Sequence, residues 1–237
     1  MLVHTLLWTA IGIGSVFVNP TGRLYMWLAR VGWARQLLAL GGVRLKVKGI
    51  SNIDLKQPYV ICANHQSLLD IPVLFESLPI PCRFLAKKSL FYIPIFGWSL
   101  FLAQFVPVER GKGKRSGKSI EKAARHVRKG PSLVVFPEGT RSHDGKIHKF
   151  KTGAFWMAIS SGVPILPVSI RGTFECASRH ALTVQPHAVE VVFGAPIYTR
   201  DMKREDRKKL MGATQEVVLK MFESGEPQCV DPEKEGN

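Results

Sequence analysis

His65 and Asp70 stand five residues apart just after the apolar run Tyr59-Val60-Ile61-Cys62, and no other stretch constrains the fold as tightly. A short apolar run of this kind reads as a buried strand. On a regular helix, residues five apart point roughly 140° away from each other, given about 3.6 residues per turn. The two side chains therefore meet only if His65 lies before or at the helix start. Ser67, a residue type that caps helix N-termini, marks where the helix is expected to begin. Taken alone, the same residues also describe a capped strand-to-helix turn with an exposed histidine.

The rest of the chain repeats this alternation. Strands are expected over 44–49, 59–63, 82–86, 104–108, 132–136, 165–170 and 189–193, with helices near 66–78, 116–129, 151–161 and 201–223. Strands alternating with helices predict an α/β fold, a mixed and mainly parallel sheet flanked by helices. At 237 residues the chain can bury one sizeable core. Pro137 ends the apolar strand Ser132–Phe136, so Glu138-Gly139-Thr140-Arg141 forms a loop at the same sheet edge as His65 if the two strands are parallel. In open α/β sheets that carboxyl edge is where ligands bind. Gly139 permits close backbone approach, and the Arg141 guanidinium matches phosphate oxygens. In isolation, Glu138 to Arg141 would be a turn with a surface ion pair.

Residues 1–18 contain no Asp, Glu, Lys or Arg, a run about long enough to cross or deeply enter a bilayer. Asn19-Pro20-Thr21-Gly22 breaks it. A second apolar run from Leu24 to Leu40 carries Trp27, Trp33, Arg30 and Arg35, and two arginines make a full span costly. The expectation is a two-helix hairpin entering one leaflet, with Trp at the interface and Arg reaching phosphates; two buried core helices are the soluble alternative. No acidic residue precedes Asp54, and the whole chain carries a net charge of +15. Such an excess calls for an anionic partner. Nucleic acid is disfavoured because the aromatics sit in apolar runs and not among Lys and Arg.

Other features resolve more simply. Gly111 to Ser119 lacks P-loop spacing and reads as a basic, mobile loop feeding a helix from Ile120 to Lys129. The four cysteines are dispersed, as free thiols would be. His143 and His148 have no carboxylate or Cys partner at fitting spacing, so no metal is expected. Ile93 to Trp98 fits either an apolar channel wall or ordinary core. Asp201 to Phe222 reads as an amphipathic terminal helix.

Asn64-His65-Gln66-Ser67-Leu68-Leu69-Asp70 resembles the NHxSxxD block of the glycerolipid acyltransferases, and Phe136-Pro137-Glu138-Gly139-Thr140-Arg141-Ser142 resembles their FPEGTRS block. Phe105 to Arg110 and Val163 to Val168 match two weaker blocks in the same order, and the likeness runs over about 45–195. The bacterial 1-acylglycerol-3-phosphate acyltransferase branch is the most similar. This resemblance implies an enzyme of phospholipid biosynthesis. It would move an acyl chain from acyl-CoA or acyl-acyl-carrier-protein to the sn-2 hydroxyl of lysophosphatidic acid, giving phosphatidic acid without a metal or cofactor. His65 would be general base and Asp70 its partner. Arg110 and Arg141 would hold the phosphate, with Lys88, Glu138, Gly139 and Thr140 also lining the substrate site.

The organisation that follows is a membrane-associated segment 1–42, an acyltransferase domain 43–223 and a disordered acidic tail 224–237, placed on anionic lipid at the cytoplasmic face of the inner membrane. Three alternatives stay open: a relative acting on another lysolipid or an aminolipid precursor, a non-catalytic binder of anionic lipid, and a serine esterase. The chain lacks a GxSxG elbow, which weighs against the last.

Overall fold

The structure, a computed structural model, describes residues 2–19, 23–109, 114–178, 181 and 183–230. Seven strands form one sheet in the order β1-β7-β6-β2-β5-β3-β4: β1 Arg44–Lys48, β2 Val60–Ala63, β3 Cys82–Lys87, β4 Val106–Val108, β5 Ser132–Val135, β6 Ile165–Arg171 and β7 Ala188–Phe193. All neighbours pair in parallel except β6 with β7, so β1 and β7 run against the other five. The sheet is mixed and mainly parallel, with helices on both faces.

The central strands β2 and β5 are buried at every residue, which is why they appear in the sequence as unbroken apolar runs. β1, at the sheet edge, alternates in exposure. One face is covered by α4 (Asp70–Ser77), whose Val73 and Leu74 pack with Ile61, Phe84 and Leu166. The other is covered by α6 (Lys114–Lys129), α7 (Gly153–Ser161) and α9 (Arg207–Ser224), through Val127, Phe155 and Val218. α6 begins earlier than expected, inside the stretch read as a loop, and residues 110–113 lie outside the described residues.

Near the N-terminus, α1 (Leu2–Val18) lies antiparallel to a second helical stretch, made of α2 (Arg23–Trp27), a π-helical turn Leu28–Ala34 and α3 (Arg35–Leu40). Trp33 Nε1 donates to Thr5 Oγ1 at 3.2 Å and Trp8 Nε1 to Gln36 Oε1 at 3.3 Å. The Trp8 ring fills the space over Gly32, where any side chain would collide with it. The hairpin also packs on α4 and on α5 (Phe96–Leu102). No helix among the described residues is long and apolar enough to cross a membrane.

The tail departs from expectation. Lys48 Nζ donates to the Gly225 carbonyl at 2.7 Å and pairs with Glu226 at 2.6 Å, while the Ala195 N–H donates to the Gln228 carbonyl at 2.9 Å. Residues 225–230 are thus bound to the β1–β7 side of the sheet; the acidic composition read as disorder supplies the partner for Lys48. Residues 231–237 lie outside the described residues.

Candidate active site

β2 and β5 are parallel neighbours, so the loops after them emerge at one edge. The first carries His65. Asn64 clamps its start: the side chain donates to the Ile170 carbonyl and accepts from the Ile170 N–H, both at 2.8 Å. His65 and Gln66 are outside any helix, and α4 begins only at Asp70. That meets the condition set by the five-residue spacing, and His65 Nδ1 lies 2.7 Å from Asp70 Oδ2.

Ser67 Oγ accepts the Leu69 N–H at 3.2 Å, although α4 itself begins three residues later, at Asp70. Asp70 Oδ2 reaches backward and accepts the N–H groups of Gln66 and Ser67 at 2.7 and 2.9 Å, while the Ser67 hydroxyl donates to the Ala177 carbonyl at 2.6 Å. The carboxylate both shapes the loop and holds the ring. Because Oδ2 already accepts two N–H groups, Nδ1 must carry the proton it shares with Asp70. Nε2 is left with its lone pair outward and has no hydrogen-bond partner among the described residues. The ring stacks on Phe136 with centroids 3.9 Å apart, and its side chain is only 14% exposed.

The second loop is bolted to the first. Glu138 Oε1 accepts the His65 N–H at 2.8 Å, Oε2 accepts the His148 N–H at 2.9 Å, and the Ser142 N–H donates to the His65 carbonyl at 2.8 Å. Glu138 is 3% exposed. Burial pushes its carboxyl above the usual range, and the two N–H bonds pull the other way. The resemblance set Glu138 at the substrate site; in the fold both of its oxygens brace the two loops. Gly139 has φ of 77°, a left-handed conformation that favours glycine, and the Lys151 side chain lies over its Cα. Its N–H is taken by the Phe136 carbonyl at 3.0 Å, which removes it as an oxyanion donor and leaves that of exposed Thr140.

Arg141, half-buried, directly precedes the Ser142 N–H that bonds to His65. Lys88 lies just past the end of β3 and pairs with Glu109, just past β4, at 2.9 Å. β3 and β4 are parallel to β5, which puts this pair at the same edge. Arg110 lies outside the described residues. Lys87, Lys146, Lys149 and Lys151 add exposed positive charge on the same loops.

His143, Asp144 and His148 gather more closely than their spacing suggested, with ligand atoms within 4.8 Å of one another. Asp144 Oδ1, however, accepts the Ser142 hydroxyl and the Lys146 N–H. The two imidazoles stack at 4.9 Å with planes 9° apart. His148 Nε2 also lies 3.0 Å from Asp144 Oδ1, so the trio is tied together by contacts within its own loop.

The profile of the family described as Acyltransferase matches residues 44–171, more than half of the chain and both loops of the site. The chain belongs to the Acyltransferase family. It is 35% identical over 198 residues to the 1-acyl-sn-glycerol-3-phosphate acyltransferase of Saccharomyces cerevisiae, covering 81% of this chain and 65% of that protein. It is 36% identical over 154 residues to the chloroplastic 1-acyl-sn-glycerol-3-phosphate acyltransferase BAT2 of Brassica napus, covering 64% and 44%. The chain thus spans less than two thirds of the length of either curated relative. The crystal structure of the 1-acyl-sn-glycerophosphate (LPA) acyltransferase PlsC from Thermotoga maritima superposes with a TM-score of 0.68 at 28% identity, covering 92% of this chain and 93% of that one. In this family member, sequence reasoning missed Asn64, Phe136 and Thr173 as parts of the site. Thr173 follows β6 at the same sheet edge as the two loops, the one signal in the sequence that could have pointed to it.

Proposed function

We propose that this acyltransferase moves an acyl group from an acyl-thioester, carried by coenzyme A or acyl carrier protein, to the sn-2 hydroxyl of 1-acylglycerol 3-phosphate. The observation that carries the reading is the His65 ring, held by Asp70 through Nδ1 and stacked on Phe136, with Nε2 outward beside the loop of Arg141. Nε2 takes the proton of the acceptor hydroxyl as its oxygen attacks the thioester carbon. Asp70 supports the imidazolium that forms. The tetrahedral oxyanion is met by the Thr140 N–H and collapses by breaking the C–S bond, and the leaving thiolate receives the proton from His65. Arg141, with Arg110 and Lys88, holds the phosphate; that binding orients the hydroxyl.

The test is thiol release by the purified protein with a panel of acceptors and both donor carriers. Turnover is expected with lysophosphatidic acid, and little with a monoacylglycerol of the same chain. Arg141→Ala should raise the KM for lysophosphatidic acid about ten- to a hundredfold with a smaller change in kcat, the worth of a charge-assisted contact. Equal rates with and without the phosphate would remove this acceptor assignment.

The N-terminal hairpin is the membrane-associated part in this reading, seated at the cytoplasmic face. Its polarity is inverted relative to a water-facing helix. His4, Thr5, Trp8 and Ser15 of α1 turn inward, while Val3, Leu7, Ile11 and Val18 are exposed. α5 packs beside α1 and adds exposed Trp98 and Phe101. A 17-residue helix spans only about 25 Å against a hydrocarbon core of about 30 Å, which favours entry into one leaflet. Ile95 precedes α5 with φ of 64°, strained for a β-branched residue, and Ile93, Ile95, Phe96 and Trp98 are exposed, which favours a lipid-facing edge over ordinary core. The double variant Ile11→Asp, Phe101→Asp should bind anionic vesicles at least tenfold more weakly in sedimentation, since each apolar side chain contributes about 1.5–3 kcal/mol when buried. Unchanged binding would place the contact elsewhere.

A further inference from the structure

Asp70 is completely buried, and its two oxygens are engaged unequally. Oδ2 faces three N–H groups, those of His65 Nδ1, Gln66 and Ser67. Oδ1 faces a single hydroxyl, Thr173 Oγ1 at 2.6 Å, and Thr173 is itself 0% exposed. Thr173 opens α8 (Thr173–Cys176), directly after Gly172 at the end of β6. Gly172 has φ of 88°, and a Cβ there would sit 2.1 Å from the Ala188 carbonyl oxygen, so the backbone that aims Thr173 at Asp70 is fixed by the neighbouring strand. The same segment holds the His65 loop at two more points, through Asn64 on Ile170 and Ser67 on Ala177.

We propose that Thr173 is a positioning residue of the acyl-transfer site, whose hydroxyl locks the rotation of the Asp70 carboxylate and so keeps Oδ2 on His65 Nδ1. A carboxylate with one oxygen satisfied three times and the other left bare in a dry pocket gains by turning toward any donor or by admitting water. Either movement lengthens the contact to Nδ1. The ring then loses both its fixed orientation and the nearby charge that supports the imidazolium. Thr173 is completely buried behind Asp70, so its effect reaches the reaction only through Asp70 and His65.

This inference rests on His65 acting as base, and the experiment separates the two. Thr173→Val keeps the shape and removes the hydroxyl; Thr173→Ser keeps the hydroxyl and removes the methyl. Steady-state thiol release with lysophosphatidic acid should show kcat lowered about ten- to a hundredfold in the valine variant, with the acceptor KM within twofold of the parent. The serine variant should return to within about threefold of the parent. A packing role would produce the opposite order, with valine active and serine impaired. Should the valine variant not fold, Thr173→Ala is measured beside serine; a folded alanine variant with parental kcat overturns the proposal. His65→Ala is run in parallel. If it stays active, the base assignment fails; if it is inactive while the valine variant keeps full kcat, only the role of Thr173 fails.

Discussion

His65→Ala should lower kcat for acyl transfer to lysophosphatidic acid by about 10³-fold, within the 10²–10⁴ range typical of a positioned general base. The protein should stay folded, with a denaturant midpoint close to the parent. The reason lies in which atoms of His65 hold the loop. Glu138 binds its N–H and Ser142 binds its carbonyl, and both are backbone groups that alanine retains. The ring contributes the stack on Phe136 and the Asp70 contact, and it sits at the rim of the fold. The acceptor KM should move little, because phosphate binding is assigned to Arg141 and its neighbours. Thiol release measured with saturating donor and varied acceptor checks both parameters. A variant that retains parental turnover removes the imidazole from the chemistry.

Much of this arrangement was legible before any coordinate, for identifiable reasons. Parallel strands buried on both faces are mostly apolar, so Val60–Ala63, Ser132–Val135 and Ile165–Arg171 announced themselves. The requirement that His65 precede the helix followed from helical geometry alone. Other features depend on partners distant in the chain. Nothing local says that β7 pairs antiparallel with β6, since apolar alternation is silent on direction. Ser67 has the composition of a cap and its Oγ does accept the Leu69 N–H, but the regular helix starts only at Asp70, whose carboxylate turns back to the Ser67 N–H, a reach that composition does not reveal. Glu138 was set at the substrate site by the resemblance of its block, and its bracing role was hidden because its partners His65 and His148 are 73 and 10 residues away. Thr173, 103 residues from Asp70, had no signal beyond its place after a strand. The Ile93–Trp98 stretch was ambiguous because apolar composition cannot tell core from a surface that faces lipid.

Asp70 offers the second large effect, and two substitutions divide it into charge and scaffold. In Asp70→Asn the amide can seat its oxygen where Oδ2 now lies and still accept from His65, Gln66 and Ser67. Its NH₂ then faces Thr173 Oγ1, and a hydroxyl can turn from donor to acceptor. The loop and the tautomer of His65 survive, and only the negative charge is lost. We expect kcat to fall about 10²-fold, the part of the barrier owed to supporting the imidazolium in a dry pocket, with stability close to the parent. Asp70→Ala removes the acceptor altogether. The N–H groups of Gln66 and Ser67 then lack a partner inside a fully buried turn, at about 1–3 kcal/mol each. Denaturant unfolding should register a loss of about 3–5 kcal/mol, as when one partner of a buried pair is deleted. Activity should drop at least as far as in His65→Ala. An alanine variant that unfolds at the parental denaturant concentration would separate Asp70 from the scaffold, and an asparagine variant with full kcat would separate its charge from the reaction. Asparagine in a Thr173→Val background should be worse than the two losses added together, because valine offers the amide NH₂ no acceptor.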